Sequence, residues 1–430
     1  MTRPEVRPRP RERTAQPMPR FRSPLRGPWL TSVFGAVLLA ALPLVVITGL
    51  LDYVAYGAGQ SIPGDVGWLH LPAFDWPTRP SWLFRLTQGL HVGLGLIVVP
   101  VVLAKLWSVI PKLFEWPPAR TPAKLLERAS LLLLVGSILF EIVTGLLNIQ
   151  YDYVFGFSFY TGHYLGAWVF IAAFVAHVAL KLPTMLRSLR TRSLRGELRT
   201  PLAETRPEEP DGEIGLVPTD PAPPTMSRRG ALALVGGGVV FVAALTAGQT
   251  IGGPLRPLAL LLPRSRTPGG EPANDYPVNR TAAAATIDPA ATGAAWRLDL
   301  TGGPAVQRLD RAMLLAGSES LPLHTATLPI ACVEGWSTVQ TWTGVRLRDL
   351  AALAGVPNPG SAFVDSLDPG PFGRVTLTGG QVVDPDALLA LQVNGADLSP
   401  DHGFPARVIV PALPGVHCTK WVRSINFRAA

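Results

Sequence analysis

Five stretches of this chain stay apolar for the length of a membrane span. Residues 27–51 carry no charge, and Arg85 and Lys105 bracket the run LTQGLHVGLGLIVVPVVLA. A third run, between Arg128 and Asp152, is broken only by Glu141, and a fourth lies between Asp152 and Lys181. The fifth, 230–255, is uncharged and follows Arg228 and Arg229. A helix needs about 20 apolar residues to cross a bilayer, so the pattern predicts five transmembrane helices, the first four forming a bundle. After Arg264 the pattern changes to short β-like stretches such as FGRVTLTGG and ARVIVPA, separated by Gly, Pro and Asp turns. That alternation predicts a mixed α+β soluble domain.

Composition points the same way: 48% of residues are hydrophobic and the mean hydropathy is +0.28, too apolar for an ordinary soluble enzyme. The net charge of +8 could suggest nucleic acid. Its Lys and Arg residues, however, cluster beside apolar runs and form no aromatic-interleaved patch, so membrane lipid is the expected partner and nucleic acid is not. The arginine-rich head and the segments 105–128 and 181–199 belong on one face, which the positive-inside rule makes cytoplasmic. Residues 52–80, the surroundings of Asp152 and everything beyond the fifth run then lie outside. The expected organisation is a disordered basic cytoplasmic head at 1–27, a four-helix membrane domain at 28–185 and a cytoplasmic linker at 186–226. A fifth transmembrane helix at 227–256 and an extracytoplasmic domain at 272–430 follow. The segment MSRRGALALVGGG (226–238) resembles a twin-arginine export signal, read by machinery that moves folded domains. The same arginine pair also fits plain positive-inside anchoring; a cofactor domain downstream favours export.

Three histidines fall within the apolar runs. His163 and His177 share the fourth run, and at 1.5 Å rise and 100° per residue they stand roughly 21 Å apart near one helix face. Counted from the outer ends of their helices, His91 and His163 differ in depth by about 7 Å, and His91 and His177 by about 13 Å. A lone membrane histidine is more often packed or hydrogen-bonded than ligating. Three inward-facing ones in a bundle point to haem iron. The arrangement is similar to the four-helix, two-haem b-type cytochrome subunits of respiratory dehydrogenases and to the cytochrome b561 group, over residues 28–185. The smaller depth difference assigns an outer haem b to His91 and His163 and leaves His177 as one ligand of an inner haem, and the resemblance implies the same two-haem arrangement. Those families commonly supply a histidine from the first span, where this chain has none. Glu141 reads as a proton relay or quinone contact, or else as a neutral or paired carboxyl inside the bundle.

Two cysteines permit at most one disulfide. Cys332 lies in IACVEGWSTVQTWTGVRLRDLAALAG and Cys418 in LQVNGADLSPDHGFPARVIVPALPGVHCTKWVRSINF, and both stretches resemble the sulfite oxidase superfamily, over residues 272–430. The resemblance implies a molybdenum–molybdopterin cofactor with Cys332 as thiolate ligand, soft sulfur suiting a metal already bound by a dithiolene. It assigns cofactor contacts to His402, Arg407, Cys418, Thr419 and Lys420, with Asn279 of YPVNR and Ser366 of VDSLD as further ones. Arg and Lys donors answer the charge of the pterin phosphate. Sulfite-oxidising members carry arginines soon after the ligand cysteine and in the turn before the final KW. Here VEGWS and His417 stand in those places, and the pattern looks more like the bacterial branch of periplasmic protein-methionine-sulfoxide reductases. Cys332, Glu334 and His417 are the candidate catalytic residues, with Glu334 as proton donor or tuning group, or as a surface salt-bridge partner. The expected activity is oxygen-atom or two-electron chemistry on a small-molecule or sulfoxide-type substrate, coupled through haem to a membrane quinone. Two rivals remain: an electron-transfer cytochrome with a non-catalytic outer binding module, and a binding domain closed by a Cys332–Cys418 disulfide.

Overall fold

The computed structural model describes residues 21–57, 66, 68–114, 121–150, 156–210, 215–260 and 272–430. Asp152 and the first twenty residues of the basic head lie outside the described residues. Helices form where the apolar runs predict them: α1 (Pro28–Tyr56), α2 (Leu83–Ile97), α3 (Val99–Leu113), α4 (Pro122–Gln150), α5 (Phe159–Thr191) and α6 (Arg228–Thr250). With α2 and α3 taken together as Leu83–Leu113, five helices are long and apolar enough to cross a membrane. The second run is not one regular helix. It is interrupted at Val98, two residues before Pro100, whose ring nitrogen has no hydrogen to donate to the preceding turn.

Helix α1 packs against α2, α3 and α5, α4 lies along α5, and α6 lies along α2 and α3. The position of α6 is set by two glycines one turn apart on α2. A Cβ on Gly89 would lie 2.7 Å from Thr250 Cγ2, and one on Gly93 would lie 3.1 Å from Thr246 Cγ2. Small residues at this spacing let two helices approach closely without a hydrophobic driving force.

At the far end of the helices, the segment expected to be an open linker is folded against the start of α1. The Glu208 carboxylate accepts the Trp29 N–H at 3.0 and 3.2 Å, satisfying a donor that the first helical turn cannot pair internally. Arg228, the first residue of α6, is buried there and donates to Arg206 O at 2.8 Å, with Glu197 Oε2 at 3.4 Å. These polar groups close helix ends rather than pack a face, so the segment carries no periodic signature.

The C-terminal region is built on two sheets: β1 (Leu298–Thr301), β2 (Gln307–Leu309), β3 (Leu323–Ala331), β4 (Ser337–Arg346), β5 (Pro359–Ser366), β6 (Arg374–Thr378), β7 (Leu388–Val393), β8 (Ala396–Asp397), β9 (Arg407–Ile409) and β10 (Val422–Ala429). One sheet runs β2-β1-β10-β5-β6, with β1 parallel to β10; the other runs β3-β4-β7-β8, with β9 paired to β7. Fully buried Leu298, Leu300, Val345, Leu389, Ile425 and Phe427 fill a shared core, and short helices complete the expected α+β pattern. This core is continuous with the helices, because Tyr56, Trp76 and Phe84 belong to the same cluster. The α1–α2 connection adds polar ties: Trp76 Nε1 donates to Ala412 O at 2.7 Å, Thr78 Oγ1 to Asp384 at 2.7 Å, and Arg79 pairs with Asp386 at 2.7 Å.

Candidate functional site

Cys332 sits at the tip of the β3–β4 hairpin. Its N–H donates to Trp336 O at 2.9 Å, and Gly335, at φ +84°, returns an N–H to Cys332 O at 3.0 Å. The chain before β10 is laid alongside by the Gly415 N–H, which donates to Ala331 O at 2.8 Å. Cys332, Cys418, Tyr276, Trp336 and Trp342 thereby share one buried cluster, and neither cysteine forms a disulfide. Burial pushes the Cys418 thiol up, so it stays protonated.

Two cations, Arg407 and Lys420, lie on the segments that flank this cluster. Buried Arg407 donates through Nε to Cys418 O at 3.1 Å, and its guanidinium lies 5.7 Å from the Trp342 ring centre. Lys420 donates to Arg280 O and, at 2.9 Å, to Asp401 O. Burial and the neighbouring Arg407 charge lower its pKa to about 7. Trp342 Nε1, His417 Nε2 and Thr419 Oγ1 are buried with no protein hydrogen-bond partner. Such orphaned groups are rare unless a ligand completes them, and here they lie in the segments that carry Cys332, Arg407 and Lys420.

The remaining predicted residues take varied positions. Both ring nitrogens of His402 are engaged, Nδ1 with Ser399 Oγ at 2.8 Å and Nε2 with Tyr276 O at 3.1 Å. Its ring lies 3.8 Å from that of Tyr276, so it acts as a support for the tyrosine rather than as an open donor. Ser366 Oγ accepts from Asp368 N at 3.0 Å, and Asp368 pairs with Arg280 at 3.1 Å, which places Ser366 behind the arginine. Asn279 is half-buried next to Arg280. Glu334 is fully buried and accepts from Trp336 Nε1 at 2.8 Å, which removes the surface salt-bridge reading. His417 is buried with its ring edge-on to Tyr56 at 6.1 Å, and burial lowers its pKa to about 4. Tyr276, Trp342 and Arg280 were not singled out from the sequence. Tyr276 and Arg280 bound the YPVNR motif that supplied Asn279, so that motif was their available signal.

The helices enclose a second centre. A cavity of about 220 Å³ is lined by residues that include Gly49, His91, Gly95, Glu141, Gly145 and His163. The rings of His91 on α2 and His163 on α5 face each other with centres 6.0 Å apart and planes at 86°. His91 Nδ1 bonds Val45 O at 3.0 Å; since a carbonyl only accepts, that nitrogen carries the hydrogen and Nε2 keeps its lone pair. His163 Nδ1 is likewise held by Thr144 Oγ1 and Glu141 Oε2, each at 3.1 Å. Glu141 is therefore paired within the bundle. Gly49 and Gly145 back the two rings: an added Cβ would lie 2.6 Å from His91 Cε1 and 3.4 Å from His163 Cε1. His177 is not among the cavity residues, lying instead in the field of Lys105, Lys181 and Glu127. No other histidine lies in α1–α5 for it to pair with.

Among the described residues no group of three or more His, Cys, Asp or Glu could hold a metal ion unaided. Residues 284–430 match the model of the oxidoreductase molybdopterin binding domain. The chain is 41% identical over 98 residues to an NADH nitrate reductase of Volvox carteri, covering 20% of this chain and 11% of that one. It is 31% identical over 151 residues to a sulfite oxidase of Arabidopsis thaliana, covering 27% and 38%, and 33% identical over 135 residues to an uncharacterized oxidoreductase of Bacillus subtilis, covering 31% and 65%. The chain thus spans less than two thirds of the curated relatives it matches. Residues 284–430 thus read as an oxidoreductase molybdopterin binding domain, similar to parts of nitrate reductases and sulfite oxidases. Its fold and its buried thiol, cations and orphaned donors fit that cofactor.

Proposed function

We propose that this chain is a membrane-bound molybdopterin-dependent oxidoreductase working outside the cytoplasm, coupled through haem b to a membrane quinone. The observation that carries the reading is the buried, undisulfided Cys332 thiol at a hairpin tip, with Lys420 in its electrostatic field and buried donors without protein partners on the neighbouring segments. Molybdenum in its pterin dithiolene supplies two-electron oxygen-atom chemistry, and haem iron passes single electrons. Cys332 is the metal ligand, while Arg407 and Lys420 answer the pterin phosphate, Thr419 and the backbone of Cys418 line its cradle, and Ser366 and Asn279 hold the Arg280 side. His402 fixes Tyr276. His417 stands where the sulfite-oxidising relatives of the resemblance carry arginine. Its low pKa keeps it neutral near pH 7, so it offers one hydrogen bond and no charge. That suits a neutral sulfoxide-type substrate better than an anion such as sulfite. Glu334, beside the ligand, tunes it through the Trp336 contact.

The haem part of the reading rests on the His91–His163 pair. His91 and His163, with ring centres 6.0 Å apart across the cavity, would hold an iron between them. Their Nδ1 contacts are those that orient ligating imidazoles. One haem b is proposed here; His177 offers one ligand to a second and nothing in α1–α5 offers the other. Arg228 and Arg229 act as the export signal of the folded domain. Molybdenum and haem counted on the purified full chain test the reading directly: one of each is expected, and absence of either overturns that half. Cys332→Ser separates enzyme from binding module, because it abolishes turnover but leaves a docking function intact.

A further inference from the structure

The two centres meet at one short piece of chain. The residue after the molybdenum ligand, Val333, lines the same helix-enclosed cavity as His91 and His163. We propose that the Cys332–Ser337 turn is a fixed electron bridge, clamped on α2 and α6 so that each electron passes from one centre to the other inside this chain.

The clamp is specific. Gln249 Nε2 donates to Glu334 O, Thr250 Oγ1 to Gly335 O at 3.2 Å, Gln88 Nε2 to Val333 O at 3.4 Å, and Arg85 Nε to Ser337 Oγ at 2.8 Å. Three successive carbonyls of the turn are thus held by helix side chains. Gly335 is needed at the contact: a Cβ there would lie 2.7 Å from Gln249 Nε2 and 2.8 Å from Val92 Cγ1, and its φ of +84° disfavours any side chain. Tyr56 strengthens the same seam, lining the cavity on one side and meeting His417 on the other. A two-residue link through covalent bonds therefore runs from the thiolate to the wall of the histidine cavity. Each crossing moves one electron and no atom. For removal of a substrate oxygen, two crossings and two protons convert that oxygen to water, and a quinol supplies both by becoming quinone.

This inference rests on the two-centre reading, and its test is chosen to fail separately. In full-length holoprotein, ferric haem should couple magnetically to the molybdenum EPR signal. Mixing with duroquinol should reduce haem first and the molybdenum centre after it. Gln249→Leu combined with Arg85→Leu removes two clamps, neither of which is a proposed metal ligand or cofactor contact. Metal and haem content should hold, the magnetic coupling should weaken, and haem-to-molybdenum transfer should slow about ten-fold or more, since small misplacements act strongly on reacting geometry. Absence of magnetic coupling in the wild type, or an unchanged transfer rate in the double variant, overturns the bridge and leaves the two centres standing. A preparation that lacks molybdenum or haem overturns both.

Discussion

The helix-enclosed centre and the centre in the β-domain are assembled on opposite principles. In the helices, two rings are set 6.0 Å apart on α2 and α5, each held from behind by an acceptor and backed by a glycine. A group bound there would be gripped from both sides within a largely apolar wall. In the β-domain a single thiol stands at a hairpin tip, and Arg407 on β9, Trp342 on β4 and Lys420 in the segment before β10 come from separate parts of the chain. On the proposed reading the protein would supply one ligand and much charge, and the organic group would bring the rest. The lesson is that stiff elements suffice where geometry must be symmetric, whereas convergent loops are needed where an irregular, anionic cofactor must be held.

The sharpest way to break this contrast is to remove the single ligand. Cys332→Ser should abolish turnover while leaving haem absorbance intact. If molybdenum and turnover persist, the thiol is not the ligand. His163→Ala should do the reverse, eliminating b-type absorbance while molybdenum remains in the β-domain. Retention of the normal haem spectrum in that variant would dismiss the paired-histidine grip. A finer effect distinguishes the two glycines. Gly49→Ala should shift or diminish the haem spectrum, because its Cβ would press on His91 at 2.6 Å, whereas Gly145→Ala, at an ordinary 3.4 Å from His163, should leave it nearly unchanged.

The same contrast explains what the sequence made legible. Helical rise is constant, so depth counting singled out His91 with His163 from three histidines, and the apolar runs located the long helices. Loop positions have no such ruler. The partners of Cys332 could be named only through motifs, and Tyr276, Trp342 and Arg280 escaped because nothing in their spacing announces convergence. Glu334 was open to a surface reading since one charged residue in a turn says nothing about burial. The docking of Gln249 on the Glu334 carbonyl was likewise invisible: a polar residue at the end of an apolar run looks like a membrane boundary, whatever it touches. The Glu208 cap on α1 joins residues 179 apart in sequence, beyond the reach of any local pattern.

The charged wall of the β-domain allows the smallest and most selective test. In the unfolded chain the Lys420 amine keeps its proton up to about pH 10.4, whereas in the folded domain without cofactor it does so only to about 7. Between those values the unfolded state binds more protons, so stability should rise with pH across that window, and below about 7 the burial cost is present in full. A bound phosphate would restore the ammonium and flatten the rise. Thermal unfolding of cofactor-free protein should therefore climb in midpoint from pH 7 to about 9, the climb should vanish in Lys420→Met, and loading the pterin should suppress it in the wild type. A midpoint that climbs equally with and without cofactor would place the phosphate elsewhere and detach Lys420 from the cradle.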